Sequence, residues 1–229
     1  MSWKMIYLAR RNPALAPQAF AQAWREHSAL GRACRNVQDR VLAVAQCSRV
    51  LDLALPGASA DHDGVALLAL RDGESARDIW NDSETLAVMR PDEPRVFAGY
   101  VRDFALVGRE RVLRDGARGG SAVIAFVRRP TALSKAGFDA AWCAGEPEPW
   151  LDAPALRHAT RVVHNRVEHT PPPGYDFDGI AEWWFDTPAA AVAAFGPGGL
   201  QARLPAALAG MCDPARSVFM FTHVTHSRP

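Results

Sequence analysis

Residues 181–186 read AEWWFD, and Glu182 stands second in a run that is otherwise small or aromatic up to Asp186. A carboxylate among such neighbours is costly to bury unless it is paired or its face meets water. In an extended chain Ile180, Glu182 and Trp184 share one face, and Ala181, Trp183 and Phe185 share the other. The wholly apolar face is expected to pack on helices, which turns Glu182 and Trp184 toward an interior. His164, in HNRV (164–167), falls on what reads as the neighbouring strand. Turned inward, it would form with Glu182 an imidazole–carboxylate pair, the usual equipment for proton transfer. An apolar wall such as Trp184 raises the carboxyl pKa by desolvation, and a nearby imidazolium lowers it. The alternatives are a structural ion pair of Glu182 with Arg161 or Arg166, or a carboxylate at a solvated mouth.

His27 is the third candidate proton carrier. In FAQAWREHSAL (20–30), Phe20, Ala23, Trp24 and His27 recur at spacings of three and four, one stripe of an amphipathic helix. A histidine at a helix end either does chemistry or simply meets the partial negative charge of the last carbonyls. Trp184, Arg166 and His223 are candidate substrate contacts. His223 and His226, in THVTHSRP, invite a metal reading, but no acidic or cysteine ligand is adjacent, so no metal is expected. PGGL (197–200) lacks the lysine of a phosphate loop, and the Gly-x-Ser-x-Gly signature of serine hydrolases is absent. No cofactor is expected.

The elements that position these residues come in two copies. KMIYLARRNPALAPQAFAQAW (4–24) lies over AVIAFVRRPTALSKAGFDAAW (122–142) without a gap. Arg10 matches Arg128 and Trp24 matches Trp142, and 128 − 10 and 142 − 24 both equal 118. CSRV (47–50) then matches HNRV, pairing Cys47 with His164, and DGVALLALRD (63–72) matches DGIAEWWFDT (178–187). Three blocks in one order with slowly shrinking offsets indicate a tandem duplication. The halves are taken as 1–113 and 121–229, joined by a glycine-rich, flexible linker over 114–120.

Each copy predicts strand, helix, strand, strand, helix, strand. The strands are expected at 4–10, 41–50, 64–71 and 101–108, and again at 122–128, 160–168, 179–186 and 217–224. The first helices open at Pro17 and at Ser134 as N-cap. The second helices are expected at 74–90, and at 187–195 with 198–209, broken at Pro197. This βαββαβ order is the ferredoxin-like split unit, whose antiparallel sheet keeps one face bare. A second copy in the same chain can cover that face. The fold class is therefore α+β, two tandem ferredoxin-like repeats closing into one intramolecular α+β barrel. Glu182 has Leu67 as its counterpart, so the second half is expected to keep a polar pocket that the first half packs.

Composition bounds the function. The 229 residues are 48% hydrophobic and 22% charged, ordinary for a folded chain. A net charge of +1 leaves no electrostatic footprint for nucleic acid or an anionic membrane. Four cysteines without a C-x-x-C pair fit a reducing compartment, and no leader or membrane-spanning run is evident, so a cytoplasmic protein is expected. Fusion satisfies the usual dimer contact, so the chain is expected as a monomer or a homodimer.

The double arginine ending the first strand, the helix FAQAWREHSAL and the run HNRV followed by YDFDGIAEWWFD resemble the EthD-domain family of the dimeric α+β barrel superfamily. The family ordinarily builds one barrel from two chains, and here two domains look fused. The resemblance implies an oxidoreductase-associated catabolic role on a small hydrophobic or aromatic molecule. The superfamily also includes quinol-forming monooxygenases, lactone isomerases, polyketide cyclases and haem proteins, so an isomerase, lyase or cyclase, or a non-catalytic binding module, stands beside that reading.

Overall fold

The strands of both halves alternate residues between a barrel interior and a surrounding layer of helices. The computed structural model describes residues 2–143 and 148–228. In the first half β1 is Trp3–Ala9, β2 Val41–Arg49, β3 Gly64–Leu70 and β4 Ala105–Arg114. In the second half β5 is Ser121–Val127, β6 Arg161–Val167, β7 Gly179–Phe185 and β8 Val218–Arg228. All neighbours are antiparallel, and the sheet closes in the order β1-β3-β2-β8-β5-β7-β6-β4. Each half contributes the same four-strand pattern, and the two seams are β2 against β8 and β4 against β6. The expected intramolecular α+β barrel is the fold observed.

Ile6, Leu8, Leu67, Ile124, Phe126, Ile180 and Met220 fill the interior of the barrel. The opposite strand faces pack on helices, with Trp183, Phe185 and Ala181 in the layer of the second half. The first half is covered by α1, Phe20–Leu30, which buries Phe20, Ala23, Trp24 and His27 as the spacing required. Its counterpart is the helix Lys135–Cys143, which buries Phe138 and Trp142. Ser134 caps it, its hydroxyl accepting the Gly137 amide at 3.0 Å.

The residues shared by the two copies prove to be joinery. Arg11 donates to Asp63 at 2.8 Å and, through Nε, to the Leu15 carbonyl at 2.8 Å. Arg129 repeats this with Asp178 and the Leu133 carbonyl. The glycine after each aspartate leaves room for a tryptophan: a Cβ on Gly64 would stand 2.6 Å from Trp24, and one on Gly179 would stand 2.7 Å from Trp142.

Several elements depart from expectation, β8 among them, which runs on to Arg228 along β2. The helix expected over 74–90 is broken into Gly73–Asp78, a wide turn at Thr85–Met89 and a short helix Glu93–Val96. Between the first two pieces the Asp82 side chain accepts the Glu84 amide at 2.9 Å, a local bond that competes with the helical one. β4 starts late because the Glu93 carboxylate accepts the Val101 amide at 2.9 Å, and it runs on to Arg114 because β6 of the other repeat pairs with it. The join is fitted rather than loose: Gly120 donates to the Asp186 carbonyl at 3.1 Å, and a Cβ on Gly119 would strike the Phe185 carbonyl at 2.0 Å.

Candidate functional site between the first helix and the barrel

A groove of about 220 Å³ lies between α1 and the outer face of the first half's sheet. Trp24, Val37, Val44, Leu68 and Met89 supply apolar walls, and Tyr7, His27, Gln46 and His226 supply its polar atoms. His27 reaches it because its place on the buried stripe of α1 turns the ring toward the sheet. Its Nδ1 lies 3.0 Å from Asp92 Oδ2, and Phe97 meets the ring edge-on at 5.4 Å. Asp92 is itself fixed by Arg95 at 2.6 Å.

Burial lowers the His27 pKa, and the Asp92 hydrogen bond and charge only partly oppose that. The ring is therefore neutral near pH 7. With Nδ1 engaged by the carboxylate, Nε2 carries the lone pair, the arrangement of a general base. The Tyr7 phenol, pushed well above its usual range by burial and then by the Glu93 charge, stays a hydrogen-bond donor. Gln46 donates Nε2 to the Ser28 hydroxyl, and its buried Oε1 has no partner among the described residues.

The second half has filled the equivalent space. Ala125 stands where Tyr7 does, and Trp183 takes the place of Leu68. His164 stacks on Trp142 with ring centroids 4.1 Å apart and meets Trp150 edge-on at 4.5 Å. Gly145, the sequence counterpart of His27, lies outside the described residues.

This placement corrects the expected His164–Glu182 pair. The match of CSRV to HNRV equates Cys47 with His164, but Cys47 pairs with Val65 whereas His164 pairs with Ala181, the counterpart of Ala66. Gln46, which pairs with Ala66, is the true counterpart of His164. A one-residue slip flips a strand's side chains to the other face, so His164 points at the helices and Asn165 points inward. Burial, and then the Arg111 charge, drive the His164 pKa down to about 3.

Glu182 does face the interior, fully buried. There it accepts from Lys4 Nζ at 2.6 Å, Asn165 Nδ2 at 2.8 Å and Trp184 Nε1 at 3.0 Å. Lys4 also pairs with Glu110. Burial opposes the ionised carboxylate, but the Lys4 ammonium and the hydrogen bonds from Lys4 and Asn165 outweigh it, so the pKa falls below its ordinary value. The polar interior is thus not a property of the second half alone: Lys4 and Glu110 come from the first. Arg166 lies on the outer face of β6, bound to Glu168 at 3.0 Å. His223 lies on the outer face of β8, beside Ser121 and Ser48 in register. Of the residues proposed from sequence, His27 alone lines the groove.

Residues 12–99 match the EthD domain family. The match to the EthD domain falls within the first repeat. Solved structures resembling the whole chain include an anthrone oxidase-like protein, with a TM-score of 0.61 at 13% identity over 99% of this chain and 92% of that one. A protein from Fusobacterium nucleatum subsp. nucleatum named as a monooxygenase gives 0.54 at 6% identity over 99% and 92%. A mutant chlorite dismutase from Candidatus Nitrospira defluvii gives 0.51 at 12% identity over 98% and 93%. A search of curated proteins finds no match. At these identities the shared property is the fold, and the coverage extends it over both repeats. Among the described residues no helix is long and apolar enough to cross a membrane, and no cluster of histidine, cysteine and carboxylate residues is arranged to hold a metal ion.

Asp92, Tyr7 and Gln46 escaped the sequence reading, and His226 entered it only as a metal candidate. Asp92 lies 65 residues from its partner His27, with no periodicity linking the two. For Tyr7 and Gln46 the one signal was divergence: the second repeat has Ala125 and His164 in their places.

Proposed function

We propose that the groove of the EthD domain binds a small hydrophobic or aromatic molecule, and that His27, oriented by Asp92, takes a proton from it in an oxidoreductase-type reaction. The observation that carries this reading is a buried, neutral histidine held by a carboxylate at 3.0 Å in the wall of a groove whose floor is apolar. Removing a proton from an acidic C–H or O–H of an aromatic substrate leaves an electron-rich anion, the form in which such molecules react with dioxygen. Tyr7 would donate to the oxygen on which that charge settles, and Gln46 Oε1 would accept from a substrate hydroxyl. The fold shared with proteins named as anthrone oxidase-like and as a monooxygenase supports an oxygen-dependent reaction. Glu182 and Trp184 have a structural role on this reading, because they belong to the barrel interior and not to the groove.

Oxygen uptake with a panel of phenolic and anthrone-type compounds tests it. Replacing His27 with Ala should lower kcat by about 10² or more, the usual worth of a general base, with the thermal melt retained. A His27→Ala variant that folds and turns over at the full rate removes the assignment. Product formed without oxygen uptake, but still dependent on His27, would instead mark the dyad as that of an isomerase or lyase.

A further inference from the structure

The rim of the groove carries charge for which proton abstraction has no use. Arg25 on α1, Arg32 just beyond its end and Arg228 at the end of β8 all line it, and no aspartate or glutamate does so among the described residues. None of the three makes an ion pair with a described residue. Nearby arginines are neutralised: Arg95 by Asp92 and Glu26, and Arg90 by Glu93. Isolated surface arginines are ordinary, but three unneutralised guanidiniums around one concavity focus a positive potential into it. That potential is felt inside, where burial first, and then Arg25, Arg228 and Arg32, hold the His226 pKa below its ordinary value. Beneath the rim the floor is apolar, formed by Trp24, Val44 and Leu68. A complementary molecule therefore has a flat apolar body and an anionic edge.

We infer that the ligand of this groove is an aromatic acid, its ring against Trp24 and its carboxylate taken by the rim arginines. The inference rests on the groove being the site proposed above and names the substrate class of that site. Guanidinium suits the role because its planar fork matches a carboxylate bidentately and loses little water on binding. The charge stays at the rim, so the neutral His27–Asp92 dyad below remains free to accept a proton.

Calorimetric titration of the full chain with benzoate and 2-naphthoate, against the uncharged benzamide and 2-naphthamide, tests this. The acids should bind about tenfold or more tightly than the amides in low salt. The gap should shrink as sodium chloride is raised. It should close in an R25Q/R228Q variant, which alters only side chains at the rim. Equal binding of acids and amides, or a preference that survives R25Q/R228Q, overturns the inference while leaving the groove as the binding site. No binding of either kind overturns it and also withdraws support from the groove.

Discussion

Acid should weaken this protein partly through His164. Buried between Trp142 and Trp150, the ring has a pKa of about 3, against an ordinary value of 6.5. As pH falls through that interval the unfolded chain takes up a proton that the folded chain refuses. The stability this histidine contributes is present in full above pH 6.5 and is lost progressively toward pH 3, at up to about 1.4 kcal/mol per pH unit. His62, brought down to about 4 by burial and then by the Arg10 charge, adds to the slope above pH 4. His164→Phe keeps an aromatic ring between the tryptophans and removes the titration. Urea unfolding at pH 6.5, 5.5 and 4.5 should show a slope shallower than wild type by about one proton. An unchanged slope would mean that other groups govern acid sensitivity.

Helices and strands here are locked at two glycines that the duplication makes equivalent. Gly64 and Gly179 open β3 and β7 with a tryptophan ring lying where a Cβ would go. Gly64→Ala must displace Trp24 or lift α1, and overpacking of this kind costs about 1–3 kcal/mol. Chemical denaturation should register that loss, and Gly179→Ala should register a similar one at Trp142. Trp24 also walls the groove, so Gly64→Ala should additionally weaken 2-naphthoate binding while Gly179→Ala leaves it alone. At this scale much was legible in the sequence. Alternation placed Glu182 and Trp184 inward, and the RR, Asp-Gly and Trp matches marked the joint between the first helix and the sheet in each repeat. What failed was the pairing of His164 with Cys47, because a four-residue match cannot fix a register whose error of one reverses the face. The broken helix over 74–90 was hidden for another reason: Asp82 competes with a helical pattern through a local bond to the Glu84 amide. Repetition reported architecture, whereas the departure read from sequence, Glu182 against Leu67, belonged to the barrel interior and not to the groove.

Across the whole molecule the two halves are tied through the barrel interior by Lys4 of β1 and Glu182 of β7, at 2.6 Å and both buried. A pair like this holds two repeats in one register, yet it owes its stability to being complete. Lys4→Met strands the Glu182 carboxylate beside Glu110, and an uncompensated buried charge costs about 3–5 kcal/mol. The Glu182 pKa should then rise, so the loss should be largest at neutral pH and shrink in acid as the carboxyl takes up its proton. Glu182→Gln keeps one acceptor oxygen and leaves Lys4 its Glu110 partner, so it should be milder. The K4M/E182L double variant, which exchanges the pair for apolar groups, should recover most of the loss seen in Lys4→Met. Urea midpoints of the single and double variants close the cycle, and additive losses would show that the two residues do not act as a pair. The same variants separate scaffold from chemistry. Glu182→Gln should melt earlier and still consume oxygen with substrate at the wild-type rate below its melt. A variant that keeps its melt but loses turnover would return the reaction to the barrel interior and away from His27.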